Sequence, residues 1–156
     1  MAKAKDIMTR DLITVSPETD ITEAAKILLD KHINGLPVVD KTGKLVGIIC
    51  QSDLIALQKK VRLPSVFTLL DTFIPVRSQK SIDKELEKIT ATKVAQAMTI
   101  NPIVINSENT VEDIATLMVE KNLHTLPVLE GGKLVGVVGK EDVLSTLMPS
   151  KKEVQE

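Results

Sequence analysis

Few side chains in this sequence could carry out covalent chemistry. The only Cys is Cys50, and the two His residues are His32 and His124. A nucleophilic site needs a base close to the nucleophile, and the sequence contains no HExxH, no Walker A motif and no paired Cys or His at metal-binding spacing. The sequence therefore argues against an enzyme, and we expect no catalytic residue, no metal ligand and no required cofactor.

Two acidic residues, Asp53 and Asp142, stand at equivalent places after an apolar run, where a helix is expected to begin. A carboxylate three residues into a helix accepts bonds from backbone amides and interacts favourably with the helix dipole. The unpaired amides at such a helix start can also bind phosphate without a Gly-rich loop, and Lys140 would add positive charge there. A structural role and a binding role both stay open for these residues.

The overall charge argues against several kinds of partner. With 20 Lys plus Arg against 21 Asp plus Glu, the formal net charge is −1, so no global field attracts nucleic acid or an anionic membrane. Phe67 and Phe73 are the only aromatic residues of the Phe, Tyr and Trp class, so platforms for stacking bases are lacking. The first ten residues are charged rather than signal-like, and no apolar run is long enough to span a membrane. We expect a cytoplasmic protein that binds neither nucleic acid nor membrane.

The elements that must position these residues occur twice. When residues 8–40 are laid on residues 98–130, nine of the 33 positions are identical. The match resumes one residue out of step, with residues 44–47 on residues 133–136 and Asp53 on Asp142, so the second copy has lost one residue in a turn. The chain is a duplication of one supersecondary unit.

The first part of each unit is predicted as a short extended segment followed by a helix. Asp20 with Glu23, and Thr110 with Asp113, have the spacing of a capping box. Apolar side chains then recur at i, i+3, i+4 and i+7, which predicts a helix buried on one side. The extended segments are residues 13–15 and 103–105, and the helical stripes are Ile21, Ala24, Ala25 and Leu28, then Val111, Ile114, Ala115 and Met118.

The second part of each unit is predicted as a β-hairpin and a helix, which makes each unit β-α-β-β-α. A unit this small buries too little surface to be stable alone, so the two units are expected to share a core. Methionines such as Met8, Met98 and Met118 would fill gaps between them. The hairpin strands are residues 36–39, 45–49, 126–129 and 134–138, and the helices are residues 53–60 and 142–147.

The segment between the units is too apolar for a free linker. It contains an apolar stretch at residues 63–76, and Ser81 could cap a short helix that runs towards Lys93. This insertion is expected to pack on the pair or on a second copy of the chain, and the alternative is a binding site for a specific partner.

The ordered motifs of the two units resemble the CBS domain family. The first unit has residues 6–9 (Asp-Ile-Met-Thr), 34–40 (Asn-Gly-Leu-Pro-Val-Val-Asp) and 43–49 (Gly-Lys-Leu-Val-Gly-Ile-Ile), followed by Asp53. The second has residues 97–102, 124–128 and 133–138, followed by Asp142. No single motif is specific, but the set occurs twice and spans nearly the whole chain. The sequence resembles a free-standing CBS pair, or Bateman module, of the bacterial and archaeal type.

The resemblance implies an α+β fold in which two β-α-β-β-α units are related by a pseudo-twofold axis, with clefts between them. It divides the chain into a first CBS domain (1–60), an apolar linker with a short helix (61–93), a second CBS domain (94–150) and a disordered tail (151–156). It also implies a homodimer, and a sensor that binds AMP, ADP, ATP or another adenosine derivative, such as S-adenosylmethionine or cyclic di-AMP.

The resemblance also assigns roles to residues. In nucleotide-binding members an Asp accepts bonds from the ribose hydroxyls, which implies Asp53 and Asp142 here, while Cys50 and Gly139 replace the Thr or Ser that assists at ribose or phosphate. A basic residue near phosphate is implied at His124, where the first unit has Asn34, so the two clefts should differ. The apolar slot for adenine is implied to involve Ile13, Thr14, Ile103, Val104, Ile48 and Val137.

Two functions of different classes follow from this reasoning. The first is a nucleotide sensor whose ligand favours one arrangement of the units or subunits and so signals to an effector protein. The second is an interaction or dimerisation module that has lost its ligand. Both retained Asp residues favour the sensor, and both lost hydroxyls favour the interaction module.

Overall fold

The computed structural model describes residues 1–62 and 92–148, with the side chains of residues 59–62 left out. Most of the predicted linker, including its apolar stretch and the helix after Ser81, and the predicted disordered tail lie outside the described residues. Both remain predictions.

The described part of the chain alternates helices with short strands, as the duplicated β-α-β-β-α pattern predicts. The helices are α1 (Ala4–Ile7), α2 (Ile21–Lys31), α3 (Gln51–Arg62), α4 (Val94–Ala97), α5 (Val111–Glu120) and α6 (Lys140–Ser145). The strands are β1 (Gly35–Val39), β2 (Leu45–Cys50), β3 (Thr99–Ile100), β4 (Ile105–Asn106), β5 (Thr125–Glu130) and β6 (Lys133–Gly139). The predicted α+β class is confirmed.

The strands form two three-stranded sheets, ordered β1-β2-β3 and β4-β5-β6. The hairpins β1–β2 and β5–β6 are antiparallel, whereas β4 runs parallel to β5. A strand that is formed in one sheet is reduced to a single bridge in the other. The parallel bridge between Val15 and Val38 corresponds to β4, and the antiparallel bridge between Thr9 and Val137 corresponds to β3. Both sheets therefore follow one plan.

The segment before each unit crosses over to the other unit. The amide of Ala4 donates to the carbonyl of Asn109 at 2.8 Å, and the amide of Val94 donates to the carbonyl of Thr19 at 2.8 Å. These two bonds join equivalent positions of the repeat in reciprocal order, as a twofold arrangement of the units requires. In addition, β3 of the second unit pairs with β2 of the first unit. Each unit therefore packs its first elements against the other unit. The predicted boundaries between the domains remain a prediction.

The exchange is visible in the two hydrophobic cores. Ala4 and Met8 are buried among the second unit's core residues, and Val94 is buried in the first unit's core. Deletion of either leading segment would therefore open the core of the opposite unit. The rest of the first core is Val15, Ile21, Ala24, Leu28, Leu36, Val38 and Ile49, and that of the second is Ile105, Ile114, Leu126, Val128 and Val138.

Two glycines allow the crossing segments to approach the hairpins. A Cβ atom on Gly47 would lie 2.7 Å from the Met98 Sδ and 2.8 Å from the carbonyl oxygen of Thr99. A Cβ atom on Gly136 would lie 2.5 Å from the Met8 Sδ. Met8 and Met98 therefore fill the space above a glycine where the two units meet, and the prediction for these methionines is confirmed.

The hairpin turns explain the one-residue offset between the repeats. In the first turn the Asp40 carboxylate accepts bonds from the amides of Thr42 and Lys44, and these bonds, with one from the Thr42 hydroxyl, lower the pKa of Asp40. The second turn instead has Gly131 and Gly132 at φ of 56° and 81°. Two adjacent residues with positive φ are favoured for glycine in the tightest hairpin connections.

The two predicted capping boxes have different outcomes. At α5 the Thr110 hydroxyl accepts from the Asp113 amide at 3.1 Å, and the Asp113 carboxylate accepts from the Thr110 amide at 3.3 Å, which confirms the prediction. At α2 the prediction is wrong, since Asp20 occupies the N-cap position without a side-chain cap bond. Its carboxylate accepts a hydrogen bond from the Lys93 ammonium of the crossing segment instead.

Candidate functional site

Two clefts lie between the units, and each takes its walls from both. Cleft A is lined by residues from segments 9–13, 32–37 and 137–142, with Thr125. Cleft B is lined by residues from segments 48–55, 99–103 and 122–125, with Asn34 and Lys140. Their volumes, open mouths included, are about 660 Å³ and about 1150 Å³.

The clefts are equivalent under the repeat. Thr9 and Ile13 line cleft A where Thr99 and Ile103 line cleft B, and Asp142 corresponds in the same way to Asp53. In each case a loop of one unit faces the end of the hairpin and the start of the helix in the other unit. The exchange of the leading segments positions these loops, because Thr9 and Thr99 pair with the opposite hairpins.

The inner ends of the clefts share a wall. Asn34, Thr125 and Lys140 line both clefts. A Cβ atom on Gly35 would lie 3.2 Å from the Thr125 side chain, so the equivalent positions 35 and 125 meet where the two hairpins approach each other. A substitution in this wall would alter the lining of both clefts.

The two predicted Asp residues lie in the clefts and also cap their helices. Oδ2 of Asp53 accepts the Cys50 amide at 2.8 Å, and Oδ2 of Asp142 accepts the Gly139 amide at 2.8 Å. Within the described residues Oδ1 of each has no hydrogen-bond partner. The structural and the binding interpretations are therefore compatible, since one oxygen of each carboxylate holds the helix start and the other keeps its capacity to accept a hydrogen bond.

Burial of Cys50, together with the nearby Asp53 carboxylate, makes its thiol unreactive. Burial raises the pKa of the Asp53 carboxyl, although the bond from the Cys50 amide opposes this shift. Burial, together with the nearby Asp53 carboxylate, raises the pKa of the Cys50 thiol to about 11. The thiol is neutral at physiological pH and lacks the thiolate form on which nucleophilic chemistry depends.

The residues predicted to contact adenine are only partly brought together. Ile13 and Val137 line cleft A, and Ile103 and Ile48 line cleft B. Thr14 is exposed, Val104 is 38% exposed, and both lie outside the lining of either cleft. The lining of each cleft ends at the isoleucine that precedes these residues, Ile13 in cleft A and Ile103 in cleft B.

The basic residues of the second unit do not all line the cleft that contains Asp142. His124 lines cleft B, together with Asp53 of the first unit, whereas Asp142 of the second unit lines cleft A. Lys140 lines both. The carbonyls of Asn34 and His124 accept the amides of Gln51 and Lys140 at 2.9 and 3.0 Å, so each hairpin entrance is tied to the helix start of its own unit.

Several polar lining residues were missed from the sequence. They stand at equivalent positions, so aligning the two repeats around His124 would have suggested them. His32, Asn101 and Asn122 have φ of 53°, 52° and 53°, the left-handed conformation that Asn and His adopt more readily than most residues. The missed residues are Thr9, Asp11 and Glu141 in cleft A, Gln51, Ser52, Thr99, Asn101 and Asn122 in cleft B, and Thr125 in both; His32, just after α2, also lines cleft A.

The sequence profile of the CBS domain matches residues 4–60 and 94–149, which is most of the chain and both repeats. This chain belongs to the CBS domain family. The predicted family and the predicted fold are both confirmed, since the two three-stranded sheets match those of solved CBS pairs.

Relatives of known sequence or structure extend over nearly the whole CBS pair. The uncharacterized protein MJ1426 of Methanocaldococcus jannaschii is 32% identical over 154 residues, which covers 92% of this chain and 90% of that protein. CBSX2 of Arabidopsis thaliana is 33% identical over 161 residues, and the aligned part is 96% of this chain but only 65% of that protein.

Two similar structures were solved with adenosine compounds. The structure of CBSX2 in complex with AMP has a TM-score of 0.71 and 26% identity, and the alignment covers 100% of both chains. The CBS pair of the protein MJ0100, in complex with 5′-methylthioadenosine and S-adenosyl-L-methionine, has a TM-score of 0.67 and 30% identity and covers 94% and 96% of the chains.

Two further observations concern the described residues alone. Among them, no helix is both long enough and apolar enough to cross a membrane. In the same ranges, 1–62 and 92–148, no group of three or more His, Cys, Asp or Glu side chains could hold a metal ion.

Proposed function

We propose that this CBS pair is a regulatory sensor that binds an adenine-containing nucleotide in the clefts between its units and signals the binding to a partner. The observation that carries the proposal is the pair of equivalent clefts, each with an Asp carboxylate oxygen that is open to a ligand beside two apolar side chains. An apolar pocket with a few convergent polar groups suits a nucleoside.

Cleft B illustrates how a nucleotide would bind. Adenine would lie between Ile48 and Ile103, and the ribose hydroxyls would donate to Oδ1 of Asp53, where charge assistance roughly doubles the strength of each bond. The phosphate would then face Lys140 and His124. The Gln51 amide is bound by the Asn34 carbonyl, so the amides of Ser52 and Asp53 are the donors that α3 can add.

The similar structures support the adenosine class of ligand. AMP was bound by CBSX2, and 5′-methylthioadenosine and S-adenosyl-L-methionine were bound by the MJ0100 pair. We propose AMP, ADP or ATP as the ligand class for this chain, with S-adenosylmethionine or cyclic di-AMP as alternatives, and no other cofactor.

The construction of the clefts gives a physical route to signalling. Each cleft has one wall from each unit, so a bound ligand stabilises one relative arrangement of the units over others. Coupling free energies of about 1–3 kcal/mol are typical for such shifts. We propose that an effector protein reads this arrangement in the cytoplasm and that the chain has no catalytic activity of its own.

We further propose a homodimer of pairs. Ile55 on α3 and Leu144 on α6 stand at equivalent positions and are 63% and 58% exposed, and Leu147 just after α6 is 80% exposed. A second copy with the same twofold arrangement would cover both helices at once. Size-exclusion chromatography with light scattering would test this, and Leu144→Lys is expected to give monomers, whereas Ile55 is left unchanged because it also lines cleft B.

A second candidate function is supported by the hairpin ends. Cys50 and Gly139 lack the hydroxyl that nucleotide-binding relatives of this family present, and the buried Cys50 thiol is neutral. A pair that has lost its ligand would serve as an interaction or dimerisation module.

A thermal-shift panel separates these two functions. AMP, ADP, ATP, S-adenosylmethionine and cyclic di-AMP would be tested on the wild type and on Asp53→Ala and Asp142→Ala. A ligand at 100 times its Kd adds about 2.7 kcal/mol of stability. The sensor predicts a rise in Tm with at least one ligand, which is lost in one or both Asp variants.

Asp113→Ala is the matched control, because Asp113 occupies the same capping position at α5 but lies outside both clefts. It should lower the Tm without changing the response to ligand. Flat curves for every ligand would favour the interaction module.

A further inference from the structure

The two clefts differ in their carboxylates and not in their bases. Among the described residues, Asp11, Glu141 and Asp142 line cleft A, whereas Asp53 is the only carboxylate that lines cleft B. Each cleft has one histidine, His32 in cleft A and His124 in cleft B, and the two share Lys140. Cleft A therefore carries two more negative charges than cleft B.

The additional carboxylates arise at two positions of the repeat. Asp11 of cleft A corresponds to Asn101 of cleft B, and Glu141 corresponds to Ser52. Both substitutions replace a carboxylate with a neutral group that can donate a hydrogen bond. Donors without negative charge suit an anionic ligand group, and carboxylates oppose one.

The first turns of the helices at the two clefts also differ in charge, and the one at cleft A is the more acidic. Cleft B lies at the start of α3, a helix of 12 residues whose second residue is the neutral Ser52. Cleft A lies at α6, which has six residues and carries Glu141 in its first turn. The Glu141 carboxylate offsets the positive end of that helix for any anion that approaches it.

We infer that the two clefts take chemically different ligands: cleft B takes an adenosine that carries a 5′-phosphate, and cleft A takes an adenosyl compound without phosphate. This inference rests on the proposed function. A phosphate monoester carries a charge of about −1.5 to −2 at pH 7, and each nearby carboxylate at a partly exposed site should weaken its binding roughly tenfold. A neutral or cationic 5′ substituent does not meet this repulsion.

Adenosine and AMP are the cleanest probes, because they differ only in the phosphate. Isothermal titration of the full chain with AMP is expected to give one site per chain, lost in Asp53→Ala and retained in Asp142→Ala. Titration of the AMP-saturated protein with adenosine should then reveal one further site, lost in Asp142→Ala.

Exchange of residues between the equivalent positions tests the cause. Asn101→Asp/Ser52→Glu gives cleft B the carboxylates of cleft A, and it should weaken AMP about 100-fold while changing the affinity for adenosine less than threefold. Asp11→Asn/Glu141→Ser gives cleft A the neutral residues of cleft B, and it should create a second AMP site.

The control is Asp30→Asn/Glu120→Ser, which removes two negative charges, as Asp11→Asn/Glu141→Ser does, from exposed positions of α2 and α5 outside both clefts. It should leave both AMP stoichiometry and affinity within twofold of the wild type, since distant exposed charges are screened.

The possible failures are distinguishable. Two AMP sites in the wild type, or AMP binding that depends on Asp142 and not on Asp53, would overturn the assignment of ligands while leaving adenosine binding intact. Exchange variants that behave like the control would overturn the electrostatic cause, and with it the inference. No binding of either compound would overturn the assignment, and flat curves for the whole thermal-shift panel as well would overturn the proposed function itself.

Discussion

Cleft A and cleft B are built on one backbone plan and lined by different side chains. Ile13 and Ile103, or Asp142 and Asp53, occupy matching places, yet Glu141 stands where cleft B has Ser52. Duplication therefore set the positions of the groups, and later divergence set their charge. The same contrast between conserved geometry and changed chemistry runs through the cores, the glycine contacts and the ion pairs of the two units.

The largest expected effect tests whether the two cores are equivalent in energy. Leu36 and Leu126 are equivalent and both are 0% exposed. Leu36→Ala and Leu126→Ala should each lower the free energy of unfolding by about 2–5 kcal/mol, since each leaves a cavity among fixed neighbours. Urea unfolding monitored by circular dichroism would measure both. A difference above 2 kcal/mol between the variants would show that the two cores relax differently.

The next prediction compares the cost of overpacking at Gly47 and at Gly136, where a crossing segment approaches each hairpin. A Cβ on Gly136 meets the Met8 side chain, whereas a Cβ on Gly47 meets both the Met98 side chain and the Thr99 carbonyl oxygen. Gly47→Ala and Gly136→Ala should each cost about 1–3 kcal/mol from overpacking, with Gly47→Ala the more costly because a backbone atom cannot move aside. Urea unfolding of the two variants gives the comparison.

Second-site variants provide the control for this prediction. Met8→Ala is expected to recover part of the stability lost in Gly136→Ala, and Met98→Ala to recover less in Gly47→Ala. Equal recovery would mean that the Thr99 carbonyl is not the decisive contact.

A smaller effect concerns the pH dependence of cleft B. The pKa of Asp53 is raised by burial, so the folded protein holds this proton more tightly than the unfolded chain does. The associated stabilisation is present at acidic pH and is lost as the pH rises through about 4 and then through the raised folded value. Asp53→Asn, which keeps a capping oxygen, should therefore gain stability relative to the wild type over that range.

Thermal unfolding between pH 3 and 7 measures this difference. Asp113→Asn, outside the clefts, is the comparison variant. If the stability of the wild type rose relative to that of Asp53→Asn as the pH increased, the predicted sign would be wrong.

The smallest effect lies at the crossing segment. Hydrogen bonds from Lys3 and Lys5 lower the pKa of the exposed Glu108 carboxyl to about 2. Here the folded pKa lies below the unfolded value, so the stabilisation is present above about 4.5 and is lost as the pH falls towards 2. Lys3→Met/Lys5→Met should return the Glu108 pKa towards its usual value, as measured by NMR titration of the carboxyl carbon.

Salt provides the internal control, since surface ion pairs are screened. In 0.5 M NaCl the difference between the wild-type and variant pKa of Glu108 should shrink. The Lys93–Asp20 pair occupies related positions in the other crossing segment and should be unaffected by the variant.

Much of the fold was predictable because its signals are local. The 3.6-residue stripe of Ile21, Ala24 and Leu28 and the paired apolar runs of each hairpin depend only on neighbours in the chain, and the 90-residue repeat shows each of these signals twice. The capping box at Thr110 and Asp113 is local too and was predicted correctly. Asp20 was assigned the same role wrongly, because Lys93 reaches its carboxylate from 73 residues away.

The candidate site was predictable in its residue types and not in its pairings. Asp53, Asp142, Ile13, Ile103 and His124 were all named, and all line a cleft. Their grouping into clefts was not accessible, since His124 faces Asp53 of the other unit. Thr14 and Val104 show the same limit, because residue type does not tell which side of an extended segment faces a cavity.

The chain's own residues determined the duplication, the secondary structure and the family, because periodicity, turn chemistry and ordered motifs are properties of neighbouring residues. The tertiary structure decided which unit's leading segment completes which core, which loops share a cleft, and where Asp11 and Glu141 add their charge. These depend on the reciprocal exchange of α1 and α4, and such an exchange is set by contacts between residues about 100 positions apart.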